Sequence, residues 1–249
     1  MKKLWIPCVC LVLLFALASC VNPAGPTASG GTASPAVGTP TANAATPAPT
    51  KAQYSIETEY YDKTDNDFEL KASYPQLTGD GFDAVNKLIK NAALATINDA
   101  LGYEGDGSFT TVETTGTVAY SDPGFISVTF SEYYNNSMAA HPSSAFRTLN
   151  IDLDSGSAVA GDSLIQANGD LYRALHDAAG KQLSAELASE ITQDDIEMGY
   201  DANAVYFTPD RMGFSIWINH ALGDHVEITL PYAEAKPFMT SSAILDRFK

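Results

Sequence analysis

His141 stands directly before Pro142 in a polar stretch that also holds Ser137, Ser143 and Ser144. Proline biases the residue before it toward extended backbone. A histidine so placed works as a general base only if a nucleophile or substrate proton lies within about 3 Å and a partner orients the ring. No nucleophile elbow surrounds these serines. The residues favour a structural role, in which His141 bonds backbone groups and fixes a crossover between two strands. His220 and His225 lie five apart, with Asp224 beside the second. Two imidazoles and a carboxylate could bind zinc or copper. Zinc motifs use other spacings and more ligands, so these read as surface histidines of a hairpin turn. Asp152 and Asp154 before Ser155-Gly156 hint at a calcium loop, but Gly161 to Leu171 lacks the remaining ligands. Asp194, Asp195 and Glu197 offer carboxylates for a glycosidase pair, yet adjacent acids more often mark a helix start. No catalytic residue, metal or cofactor is assigned. The candidates for recognition are Tyr133, Tyr134, Asn135 and Asn136, together with His141, Asn219, His220 and His225. Tyr and Asn suit contact with proteins and glycans. Tyr60 and Tyr61 could serve likewise.

The elements that must position these residues follow from periodicity. Tyr54–Tyr61 and Phe68–Tyr74 alternate apolar and polar residues and predict strands, the second stopped by Pro75. Phe82, Val85, Leu88, Ile89, Ala92, Ala93 and Ile97 predict one amphipathic helix over about 80–101, ended by Gly102. Phe109–Tyr120 and Phe125–Tyr134 predict an antiparallel hairpin around Ser121-Asp-Pro-Gly124. Leu149, Ile151 and Leu153 mark a further strand, turned by Asp154-Ser-Gly156. A second helix is expected over about 170–187, weakened at Gly180. Val205–Thr208, Met212–Ile218 and Val226–Leu230 complete the series. Strands grouped apart from helices predict an α+β fold, a mostly antiparallel sheet with two main helices.

Ahead of this domain, Lys2 and Lys3 precede an apolar run from Leu4 to Leu17, closed by Ala18-Ser19-Cys20. This is the grammar of a bacterial secretion signal, too short for an ordinary transmembrane helix. Its closing tetrad resembles the lipobox, which implies cleavage before Cys20 and lipidation of its sulfur. The signal peptide is residues 1–19. Cys8 and Cys10 leave with it, so no intramolecular disulfide is possible. Residues 20–53 hold the lipidated cysteine and a Pro/Ala/Thr-rich stretch with no aromatic residue, which reads as a disordered tether. Residues 54–249 form the domain, with an N-terminal part to 135 and a C-terminal part from 136. Without the signal peptide the chain carries 12 basic residues against 30 acidic ones, a net charge of −18. Nucleic acid and anionic lipid headgroups are therefore poor partners, and cationic proteins or divalent cations are better ones.

Several short motifs occur in a fixed order: Tyr74-Pro-Gln-Leu77, Ala140-His-Pro142, Asn150-Ile-Asp-Leu153 with Ser155-Gly156, Tyr206-Phe-Thr-Pro-Asp210 and Ile228-Thr-Leu-Pro-Tyr232. The order resembles the paired domains of unknown function of extracytoplasmic bacterial proteins over residues 54–235. That group includes the ectodomain of the lysozyme-sensing anti-sigma-V factor, and a related segment precedes the catalytic domain of some peptidoglycan deacetylases. The resemblance implies an α+β envelope-facing domain without established enzymatic activity, and lysozyme binding in the anti-sigma member. This sequence departs from that member. It shows no internal transmembrane helix and no sigma-binding segment, so direct sigma control is not expected. Its Asn219–His225 loop is also shorter than the usual one, which carries Pro and Tyr. The expected function is a lipid-anchored, surface-exposed binding domain of the cell envelope. It would sit on the cell membrane, or on the outer membrane of an envelope that has one. The expected ligand is a cationic lysozyme-like protein or peptidoglycan. The alternatives are an enzyme acting on envelope glycans through His141, and a structural accessory lipoprotein.

Overall fold

The computed structural model describes residues 54–105, 107–240 and 244–248. The signal sequence, Cys20 and the tether lie outside the described residues. Among the described residues no helix is long and apolar enough to cross a membrane.

Strands β1 (Ser55–Thr64) and β2 (Phe68–Thr78) form an antiparallel hairpin. The Asp65 carboxylate closes its turn by accepting from the N–H groups of Asp67 and Phe68. Pro75 does not stop β2 as the sequence suggested. Parallel pairing of β2 with β3 (Thr110–Asp122) ends at Ser73↔Thr115. Beyond that point β2 pairs with β1 alone, and a proline is tolerated where one side of a strand is unpaired. Gly116 sits at the divergence. A Cβ there would lie 3.1 Å from both Pro75 Cδ and Tyr74 Cα.

The crossover from β2 to β3 is helical, as a parallel pair requires. It is two helices, not the single one expected: α1 (Asp83–Ala93) and α2 (Ala95–Leu101). Tertiary bonds flank the break at Leu94. Arg147 Nη2 donates to the Ala92 carbonyl (2.8 Å), and Thr96 Oγ1 donates to Glu132 Oε2 (2.9 Å). Strands β4 (Phe125–Asn136), β5 (Ser143–Asp152) and β6 (Ser157–Ala158) continue antiparallel, giving a six-stranded sheet in the order β1-β2-β3-β4-β5-β6. The expected hairpin between β3 and β4 is present, with a register shift between Val118 and Tyr120.

The second helix also divides, into α3 (Gly169–Gln182) and α4 (Ala185–Glu190). Gly180 lies undisturbed inside α3. The break is at Leu183, because the Ser184 hydroxyl accepts from Leu187 N–H and starts a new helix. A capping box of Thr192 and Asp195 opens α5 (Gln193–Gly199), so Asp194 and Asp195 do mark a helix start. Strands β7 (Tyr200–Phe207), β8 (Arg211–Trp217) and β9 (His225–Pro231) form a three-stranded antiparallel sheet, followed by α6 (Tyr232–Ala235). The fold is α+β.

Two cores result. Helices α1 and α2 cover the large sheet over Phe68, Leu70, Val85, Ile89, Ile97, Ile126, Val128 and Phe130. The other core joins Leu171, Leu175 and Ile196 to Phe207, Phe214, Ile216 and Ile228, with Phe125. Strand β4 thus supplies both cores, with Phe125 in one and Ile126, Val128 and Phe130 in the other. Side chains of the large sheet meet the backbone of β7, an edge strand whose free groups need partners. Ser127 Oγ accepts from Phe207 N–H (3.0 Å), and Asn150 Nδ2 donates to the Val205 carbonyl (2.7 Å). Near the C-terminus, Phe248 stacks on Phe207 with ring centroids 4.6 Å apart, and Arg247 Nη1 lies 2.9 Å from each Asp122 carboxylate oxygen.

Candidate binding face

The β4–β5 connection meets the β8–β9 turn. Asn219 Oδ1 accepts from Ala221 N–H and begins a short helical turn over His220–Leu222. Gly223 (φ 116°) and Asp224 (φ 71°) then reverse the chain. A positive φ is unusual outside glycine, and aspartate is among the residues that tolerate it. The reversal aims the Asp224 carboxylate at two partners. Its Oδ2 accepts from Ser144 N–H (2.7 Å), and its Oδ1 lies 2.7 Å from His220 Nδ1. Burial pushes this carboxyl up, but the Ser144 N–H and His220 outweigh it and hold Asp224 below the usual aspartate range. The His141 ring stacks on His220, centroids 3.6 Å apart and planes 12° from parallel.

His141 therefore joins two loops, but not in the manner expected. It is exposed, and its one backbone contact is Nδ1 to the Pro142 carbonyl at 3.4 Å. The loop lies outside both cores, so ring stacking on His220 is what it offers. Ser144 Oγ lies 3.3 Å from Asp224 Oδ2, so serine and histidine address the same carboxylate. No imidazole nitrogen is placed to take the serine proton, as an activated nucleophile needs. His225 is held apart from His220, with its Nε2 3.0 Å from Glu227 Oε1 and its ring near Phe146. Among the described residues no three His, Cys, Asp or Glu side chains gather into a metal-holding group.

The aromatic and amide candidates divide by role. Tyr133 is 40% exposed and pairs across the sheet with Ser144, so it shares the face of the two loops. Tyr134 packs against the first core. Asn136 is a structural bracket: its Nδ2 donates to Ser108 Oγ and Thr110 Oγ1, and its Oδ1 accepts from Met138 N–H. Asn135 is half-buried opposite Thr111 on β3. Tyr60 is exposed on the edge strand β1, and Tyr61 packs against the first core. Asp152 caps its own turn, accepting from Asp154 N–H.

Trp217 went unrecognised in the sequence. It is 65% exposed and lines two clefts. One, of about 420 Å³, lies among Glu190, Asp195, Met198, Asn219 and Leu222. The other, of about 150 Å³, lies among Ser144, Phe146, Asp201, Asp224 and His225. Among the described residues no lysine or arginine lines either cleft. The alternation of Met212, Phe214, Ile216 and Ile218 did signal that Trp217 points away from the core, but not what surrounds it. Met198, 74% exposed, arrives from α5, which no apolar periodicity announced.

No family model and no curated protein matches this sequence. A solved structure of a DUF3298-family protein from Bacteroides fragilis superimposes with a TM-score of 0.51 at 15% identity, covering 80% of this chain and 98% of the other. The likeness is one of fold. A DUF3298-family protein from Pseudomonas aeruginosa gives 0.47 at 12% identity, over 76% of this chain and 93% of its own.

Proposed function

We propose that this chain is a lipid-anchored binding domain displayed outside a bacterial cell, and that its ligand is a cationic wall-active protein of the muramidase type. The observation that carries the reading is the acid face at Trp217. Glu190, Asp195, Asp201 and Asp224 line two adjoining clefts without one lysine or arginine among them. The net charge of −18 extends the same field over the chain without its signal peptide. Such a field steers cationic partners in and turns anionic ones away. The short β8–β9 turn, stiffened by the Asn219 and Asp224 bonds, presents this face as a preformed surface. The experiment is surface plasmon resonance at physiological salt, comparing a cationic muramidase with an inert protein of similar positive charge. The muramidase should bind much more tightly. Equal binding would reduce the interaction to bulk charge, and no binding would remove the muramidase from the account.

A further inference from the structure

Trp217 is the only tryptophan beyond Trp5 of the leader, and it stands on the surface. Its main chain is firmly held: a Cβ at Gly199 would lie 1.9 Å from the Trp217 carbonyl oxygen, so the end of α5 is wedged against β8. The indole is thus an exposed apolar plate on a rigid mount, which lowers the ordering cost of any ligand that covers it. We propose that Trp217 is the stacking platform of a glycan subsite that takes amino sugars with a free amine. The C–H face of a pyranose is polarised positive by its ring oxygens and fits the negative face of an aromatic ring. The flanking groups are of the planar polar kind that meets sugar hydroxyls. Glu190 and Asp195 offer carboxylates in the larger cleft, beside the side-chain amide of Asn219, whose oxygen is already given to Ala221 N–H. Ser215 and Asp201 lie in the smaller one. Two depressions sharing one tryptophan suit a chain of repeating units, each seated beside the next.

Charge selects among sugars. The Thr192 hydroxyl and its backbone N–H hold the Asp195 carboxyl below the usual range, so it is ionised at neutral pH. With carboxylates and no lysine or arginine among the residues that line the two clefts, uronic or other anionic sugars are repelled and a sugar ammonium is attracted. A basic peptide would share the charge but not the geometry. Strand β8 is the middle strand of its sheet, paired with β7 and β9, so a peptide cannot add there as a further strand.

The proposal uses the envelope location of the preceding reading and not its protein partner. It is tested on the full chain in detergent, carrying Trp5→Phe so that Trp217 is the sole indole. Its fluorescence is titrated with a glucosamine tetramer, an N-acetylglucosamine tetramer, a tetralysine and an oligogalacturonate. The glucosamine tetramer should give a saturable change, with the acetylated tetramer and tetralysine weaker by about tenfold or more, the step a difference of 1.4 kcal/mol produces. The oligogalacturonate should give none. By calorimetry, Trp217→Ala should weaken glucosamine binding by about tenfold while melting as the parent does, consistent with loss of an aromatic contact. Glu190→Gln should erase part of the preference for the free amine. Tetralysine binding as tightly as the amino sugar would show a charge site and overturn the proposal. Equal binding of the acetylated tetramer, or no response to any sugar, would overturn it too. Muramidase binding without sugar binding would sink this subsite and leave the preceding reading intact; the reverse result would do the opposite.

Discussion

Asp224 has the most work of any single side chain on the binding face. It adopts a positive φ, accepts from Ser144 N–H and pairs with His220. Asp224→Ala removes the acceptor of a half-buried N–H and leaves a β-carbon in a left-handed conformation, so it should destabilise the domain by about 1–3 kcal/mol in chemical denaturation. The pH dependence follows from the direction of its shift. Asp224 and Asp122 both sit below the usual aspartate value when folded. Such groups add stability that is fully present above the unfolded value, near 3.9, and is lost as pH falls through the lower folded values. Acid unfolding should therefore begin below about pH 4, and Asp224→Asn should flatten that limb. His141→Ala, by contrast, should change stability by no more than about 0.5 kcal/mol, because the ring is exposed and makes one long backbone contact. A drop of several kcal/mol would contradict this. The sequence placed His141 correctly in a loop between strands. What it could not disclose was the partner, since His220 lies in a different sheet's turn and no local pattern links the two.

Glu132 and Arg147 act through the elements they join. Glu132 is 7% exposed and takes the Arg147 guanidinium, Thr96 Oγ1 and Thr114 Oγ1, while Arg147 also reaches Ala92 at the end of α1. One network centred on the buried Glu132 carboxylate thus fixes both helices of the crossover onto β3, β4 and β5. Glu132→Ala removes the carboxylate that three side chains share, so it should cost about 1–3 kcal/mol, and Glu132→Ala/Arg147→Met should recover part of it, as thermal unfolding can show. Close backbone approaches set further limits. A Cβ at Gly161 would lie 1.5 Å from the Ala202 carbonyl oxygen, so Gly161→Ala should shift β7 and lower the melting temperature. The elements legible in the sequence were those with strong alternation: the β3–β4 hairpin and β8, whose Met212, Phe214 and Ile216 face one core. The breaks at Leu94 and Leu183 were hidden because apolar helical spacing continues across them, and tertiary bonds and a serine cap decide the local path. Pro75 misled for a related reason. Its effect depends on whether a neighbouring strand is present, and that is settled by where β3 diverges.

At the scale of the whole molecule, the order of elements was the informative signal. The separation of strands from helices foretold α+β, but the parallel β2–β3 pair was not foreseen, because pairing direction depends on the route of the crossover. Anchoring remains a matter of the first residues: Cys20→Ala should abolish fatty-acid incorporation in metabolic labelling, and unchanged labelling would sink the lipoprotein reading. The acid surplus makes the central claim quantitative. Long-range attraction acts chiefly on association, and the screening length shrinks from about 10 Å at 0.1 M salt to about 3 Å at 1 M. The most direct measurement is the rate of association and dissociation of a cationic muramidase on the immobilised protein across that salt range. The account predicts steeply slowing association with a nearly constant dissociation rate, the latter raised by changes at Trp217 and Tyr133. Association that ignores salt, or the absence of any complex at physiological salt, would contradict it.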